Sequence, residues 1–390
     1  MLTRRLAGFG LAVLAIALAS CGESGADTSG AVRTDSAGVA IVTSPAEDRE
    51  LDWQFERVGV LRDSAGEPWY FTRVHPRGVA VRGDGDVFVL DGTEPAVERF
   101  NRGGDYLGAF GRRGGGPGEY QLPVGLMFVG DTLFVRDLVK RAYARFLPDG
   151  TPLADFRLSE AIGFVGELRF HSEGVWFNAS IPDSTNQVMG FFTDTTRSRA
   201  LHRVAVPRGR AVQFSCVGMS SSTPMFSPAL VWSSDGERAV VHAQPGYEIW
   251  VYRNGGLEMS IRRSIASRAP TIDDARVLYP DGWRVSFGGA APDCVVPVEE
   301  VVEQQGIAAV LPQVQDVLVL PDGRLLVRRS LAAATEPVLD VFDADGAYTG
   351  TLRGKRMPLA MLPSGELLIP EPDEETGGTV VAIYRVETGS

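Results

Sequence analysis

The stretch from Gly78 to Tyr120, GVAVRGDGDVFVLDGTEPAVERFNRGGDYLGAFGRRGGGPGEY, narrows the folds open to this chain more than any other. Val79–Val81 and Val87–Leu90 are short apolar runs on either side of Gly83-Asp84-Gly85, a tight-turn cluster. Val97–Phe100 and Tyr106–Phe110 flank a second turn at Arg102–Asp105. Four short strands of this kind form an antiparallel meander with two apolar faces. Such a meander is not stable alone and must stack on others like it. The copies are present. The first hairpin recurs at 79–91, 126–137, 168–178, 230–242, 317–329 and 359–370. The second recurs at 97–110, 143–156, 189–204, 249–261 and 339–352. One more begins at Val380-Val381-Ala382-Ile383-Tyr384, shortly before Ser390.

A ring of such units closes without a raw edge when one unit draws strands from both ends of the chain. Gln54–Leu61 (QFERVGVL) is the expected outer strand of that last unit, and Val39–Thr43 (VAIVT) a further edge strand. The connector FGRRGGGPGEYQLPVGL at 110–126 resembles that of six-bladed, NHL-like β-propellers, and most of all a group of bacterial propeller lipoproteins. The resemblance spans residues 38–390. It implies an all-β, six-bladed β-propeller of four-stranded antiparallel blades, and says nothing about activity.

The N-terminus reads as a targeting segment. MLTRR is a short basic start, and Leu6–Ala19 is an apolar run of 14 residues, too short to span a bilayer comfortably. It ends in Leu18-Ala19-Ser20-Cys21, which resembles the bacterial lipobox. The resemblance implies a signal peptide over residues 1–20 and lipidation of Cys21. Acyl chains such as palmitate, at about 0.8 kcal/mol per buried CH₂, then make a lasting membrane anchor. A plain signal peptide with an incidental cysteine is the blander alternative. Gly22 follows in place of Asp, which by resemblance to sorting rules favours the outer membrane, on its periplasmic face or at the cell surface. Residues 21–37 are small, polar and aperiodic, a flexible tether. The formal charge of −11 argues against a nucleic-acid partner.

Two intervals exceed a blade junction. Pro207–Met225 lies between blades 3 and 4, and Ser264–Leu311 between blades 4 and 5. Thr271-Ile272-Asp273-Asp274 reads as a helix start, and Pro297–Gln305 followed by Gly306 as a short helix. A small helical insertion (266–311) is therefore expected. Both intervals join an outermost strand to the next innermost one, so they decorate one face, the face expected to work. Each holds one cysteine, Cys216 and Cys294. Either they form a disulfide that pins the insertion or they are two buried thiols.

The chemistry is sparse. The glycines of GRRGGGPGEY lead into a strand rather than a helix, so they read as structural and not as a phosphate cradle. Asp84, Asp149, Asp235, Asp322 and Asp345 sit in hairpin turns, where Asp caps its own turn. Arg73, His75, Arg77, Glu167, Arg169 and His242 fall near the ends of inner strands, and form the candidate ligand set at the channel mouth. No catalytic residue, metal ligand or cofactor motif stands out, and calcium or zinc has no support. The sequence thus points to a lipid-anchored envelope module that binds a protein, peptide or glycan. The alternative is a metal-dependent lyase or lactonase-like enzyme at the channel mouth.

Overall fold

The computed structural model describes residues 30–72, 74–91, 96–157, 164–171, 174–180, 186–194, 197–205, 209–284, 294–330 and 336–388. Each hairpin pair in the sequence becomes one antiparallel sheet. Sheet 1 is Val74–Val81, Val87–Asp91, Val97–Phe100 and Tyr106–Phe110. Sheet 2 is Pro123–Val129, Thr132–Asp137, Ala142–Phe146 and Pro152–Phe156. Sheet 3 is Phe164–His171, Gly174–Ser180, Asn186–Asp194 and Arg197–Ala205. Sheet 4 contains Val231–Ser234, Arg238–His242, Glu248–Arg253 and Gly256–Arg263. Sheet 5 is Val314–Val319, Leu325–Arg329, Val338–Phe342 and Tyr348–Arg353. Sheet 6 takes Ala360–Met361, Leu367–Pro372 and Thr379–Thr388 from the C-terminal end, and its outer strand, Trp53–Val60, from the N-terminal end.

Five sheets thus have four strands, and the expectation of uniform four-stranded units fails at sheet 4. Val39–Ser44 runs parallel to the outer strand Gly256–Arg263, and Val32–Ser36 pairs with it in turn, giving six strands. The physical reason is apolar. Val42 is 1% exposed in the core that sheet 4 shares with sheet 5, whereas Val32–Ser36 is exposed throughout.

The sheets pack face to face in a circuit. Phe88 and Leu90 of sheet 1 meet Leu126 and Val135 of sheet 2. Phe134 meets Phe177 of sheet 3, and Trp176 meets Trp232 and Val241 of sheet 4. Val240 and Ile249 meet Val317 and Phe342 of sheet 5. Leu326 and Leu339 meet Leu367 and Ile369 of sheet 6. Leu368 and Val381 return to Val89 and Phe100 of sheet 1. Burying each such side chain stabilises the ring by about 1.5–3 kcal/mol, and every sheet uses both of its faces.

Between Ser44 and Trp53 the chain crosses the rims of sheets 4 and 5 as a strap. Thr351 N–H donates to Arg49 O at 2.7 Å, and Leu51 N–H to Thr351 O at 2.9 Å. Gly350 makes this approach possible: its φ is +153°, and a Cβ there would lie 2.5 Å from Leu51 Cγ and 2.7 Å from Arg49 O.

Turn chemistry follows expectation at four hairpins. The carboxylates of Asp84, Asp149, Asp235 and Asp322 accept from backbone N–H groups two residues on. In the Asp343–Tyr348 turn the acceptor is Asp343, not Asp345.

Candidate functional site

Of the residues expected at the channel mouth, Arg77 and His242 have described side chains. Cys21 and Arg73 lie outside the described residues. His75, Glu167 and Arg169 fall on the inner strands of sheets 1 and 3, with side chains outside the described set. Arg77 is half-buried where the first ladder of sheet 1 shifts register between Val74 and Val79.

His242 is not an open-mouth residue. It ends the strand Arg238–His242 and is 1% exposed. Its Nδ1 lies 2.9 Å from Glu248 O, so Nδ1–H donates there and Nε2 is left a buried acceptor without a partner. Burial holds the imidazole below its ordinary pKa, against the opposing pull of the Glu248 and Gln244 carbonyls. Because the folded-state value is depressed, the native state binds fewer protons than the unfolded chain below about pH 6.5. Stability is therefore expected to fall as pH drops from about 6.5 toward the folded value. Urea midpoints for His242→Gln between pH 7.5 and 5 should show a shallower decline than the parent, and parallel curves would exclude the histidine as the cause.

The GRRGGGPGEY loop is closed to phosphate by its own carboxylate. Glu119 Oε2 accepts from Gly116 N–H at 2.8 Å, and Arg112 Nε donates to Glu119 Oε1 at 2.8 Å. Those bonds hold the Glu119 pKa below the usual carboxylate range, the Gly116 amide first. From below, buried Lys140 Nζ donates to Gly116 O and Glu119 O at 3.1 and 3.0 Å and pairs with Asp155 Oδ2 at 2.8 Å. Among the described residues no group of three or more His, Cys, Asp or Glu is placed to hold a metal ion.

The two long intervals build a cap. The first forms the hairpin Arg210–Phe214 with Val217–Ser222. The second forms helix α1 (Ile272–Leu278), the pair Trp283–Arg284 with Val295–Val296, and helix α2 (Val298–Gln305). Thr271 and Asp274 form a capping box at the start of α1. Arg268 Nη1 also reaches Asp274 Oδ2 at 2.7 Å. Gly306, at φ +78°, ends α2.

Cap parts far apart in sequence are tied together. Cys216 and Cys294 are joined by a disulfide across 78 residues. Ser215 Oγ donates to Glu300 Oε2 of α2 at 2.9 Å, and Arg276 of α1 pairs with Glu299 of α2 at 2.9 Å. The cap has its own small core of Val212, Phe214, Ala275, Val296, Val298 and Val301.

Between the helices and the segment Ser222–Ser227 lies a cleft of about 310 Å³. That volume is at the lower end for a small-ligand site. Three aromatic side chains line it, Phe226, Tyr279 and Trp283, beside Ser222, Thr223 and Gln305. Phe226 has φ +60°, a left-handed conformation rare for a bulky side chain and costing about 1–3 kcal/mol. Sequence reading located the cap but missed this cleft. Its one legible signal was the pairing of helix signatures with a cysteine in each interval.

No protein-family model and no curated protein matches the chain. Solved structures resemble it in fold. A protein of Bacteroides fragilis described as exported matches with a TM-score of 0.50 and 10% identity, over 89% of this chain and 100% of that one. A member of the DUF4221 family from Bacteroides vulgatus matches with a TM-score of 0.49 and 8% identity, over 88% of this chain and 99% of that one. The closed circuit of antiparallel sheets makes the chain an all-β β-propeller, and the likeness to the first of these structures is one of fold.

Proposed function

We propose that this chain is a six-bladed, NHL-like propeller lipoprotein of the bacterial envelope that binds a protein, peptide or glycan in the cleft of its cap. The six-stranded sheet 4 is then one blade carrying a two-strand extension. The observation behind the binding role is the cleft itself, a concave, aromatic-lined site with polar groups, built on a cap stapled by Cys216–Cys294. The apolar N-terminal run before Cys21 supports export and lipid anchoring, with the outer membrane favoured by Gly22.

The anchor has a direct test. Cells fed an alkyne-labelled fatty acid should label the parent, and Cys21→Ser should lose essentially all label. Equal labelling of both would remove the lipid from this reading. For the binding role, a photocrosslinking residue replaces Leu278, which is exposed at 48% at the cleft. A reproducible adduct in intact cells is expected there and not at Asp35, on the exposed edge strand of sheet 4 and outside the cleft lining. The same adducts at both positions, or none, would overturn the reading.

A further inference from the structure

The cleft is neutral in a chain of formal charge −11. Among the described residues that line it there is no Asp, Glu, Lys or Arg. A charged ligand entering it would shed water and meet no counter-charge, so ionic ligands are disfavoured. What the cleft offers is hydrogen bonding. Gln305, the last residue of α2, is 9% exposed yet lines the cleft. Among the described residues its side-chain amide has no hydrogen-bond partner, and the amide reaches the open cleft, where a ligand can meet it. The residues Ser222, Thr223 and Tyr279 line the same space, and among the described residues their hydroxyls have no hydrogen-bond partner. Each hydroxyl, and the amide, can donate and accept. Beside them stand the rings of Phe226, Tyr279 and Trp283, flat apolar faces with polar tips.

We propose that the cap cleft binds an uncharged saccharide, a deepening that rests on the binding role given above. Adjacent sugar hydroxyls are donors and acceptors at once and match Gln305, Thr223, Ser222 and Tyr279. The C–H face of a pyranose packs on an aromatic ring. A peptide brings a backbone but no such row of paired hydroxyls, and anionic sugars are excluded by the missing cations. Phe226, at φ +60°, contributes its ring to the cleft wall.

The test uses the mature lipidated chain in a detergent without a sugar headgroup. The probes are neutral gluco-, xylo- and chito-oligosaccharides, oligogalacturonate as the anionic counterpart, and end-blocked neutral peptides containing Phe or Trp. Binding is read by calorimetry. At least one neutral oligosaccharide should bind, Gln305→Ala should weaken it about 3–10-fold, and Tyr279→Phe about 2–5-fold. Thermal midpoints check that both variants fold. Oligogalacturonate binding as tightly as the neutral sugars would overturn the inference, as would neutral-sugar binding indifferent to Gln305. Blocked peptides binding in a Gln305-dependent way would overturn the saccharide and leave the binding role standing. No binding by any probe overturns the saccharide; only the additional absence of Leu278 adducts in cells overturns the binding role itself.

Discussion

Replacing Arg263 with methionine is expected to destabilise the protein by about 3–5 kcal/mol, because it strips a fully buried aspartate of its nearer cation. Arg263 closes the outer strand of sheet 4, and both its side chain and that of Asp340 in sheet 5 are fully buried. Its Nη1 donates to Asp340 Oδ2 at 2.9 Å. Nη2 donates to Ala46 O, Glu47 O and Asp48 Oδ1 at 3.0, 2.9 and 3.1 Å, and Nε to Pro45 O at 3.2 Å. The guanidinium lies 3.9 Å from the centroid of the Tyr348 ring. One side chain therefore joins two blades and the strap that leads the N-terminal segment to sheet 6.

The rest of the cluster shows why the loss should be large. Asp340 also accepts from Tyr247 OH and Thr351 Oγ1, each at 2.7 Å. Asp48 bridges Arg263 and Arg329, the latter at 2.6 Å. Burial pushes the Asp48 carboxyl up, but the Arg329 and Arg263 hydrogen bonds outweigh it and hold its pKa below normal. Methionine fills most of the volume of Arg263 yet takes from buried Asp340 its nearer cation, leaving Arg329 Nε at 3.5 Å, and frees the strap carbonyls. The double variant Arg263→Met/Asp340→Asn should recover part of the loss, since it removes the stranded charge. Urea unfolding measures both. A change under 1 kcal/mol for Arg263→Met, or strict additivity with Asp340→Asn, would show that the cluster does not hold the ring shut.

Little of this cluster was legible beforehand, and the reason is physical. Hairpins reveal themselves through alternation and turn residues, signals carried within a dozen positions. Gln54–Leu61 was readable as the closing strand because the last meander lacked one, and Trp53–Val60 occupies that place against Thr379–Thr388. Val39–Thr43 was readable as a strand, but its parallel partner lies over 200 residues away and leaves no local mark. Arg263 reads like any polar strand end. Asp340 was the better clue: Val338–Phe342 is buried on both faces, and an Asp inside such a strand must find a cation. The depth of His242, 1% exposed, leaves no such mark either, since a polar residue at a strand end can face either water or the next blade. In the cap, Thr271, Pro297 and Gly306 announced the helices. The cleft between them depends on Ser222–Ser227 meeting residues more than 50 positions later, which no periodicity encodes.

The second large effect is expected at the staple. By the chain-entropy model, closing a loop of 78 residues constrains the unfolded chain by about 4.5 kcal/mol at 25 °C, so Cys216→Ser/Cys294→Ser should lose up to about that much. The loss should be local first. The cap core is small, and Cys294 belongs to it at 2% exposure, so removing the bond both lengthens the loop and loosens the packing beneath the cleft. Amide exchange should accelerate in Val298–Gln305 and Arg210–Phe214 well before it changes in sheets 1 and 2, whose cores share no residue with the cap. Ligand or crosslink capture at the cleft should fall in step, and reduction of the parent should reproduce the double variant. Uniform acceleration across all sheets would mean that the cap is part of the ring's cooperative unit rather than a lid stapled onto it. An unchanged cap in the double variant would mean that Glu300 on Ser215 and Glu299 on Arg276 suffice to hold it. That outcome is not expected, because both pairs are exposed to solvent, where such contacts contribute about 0–1 kcal/mol each.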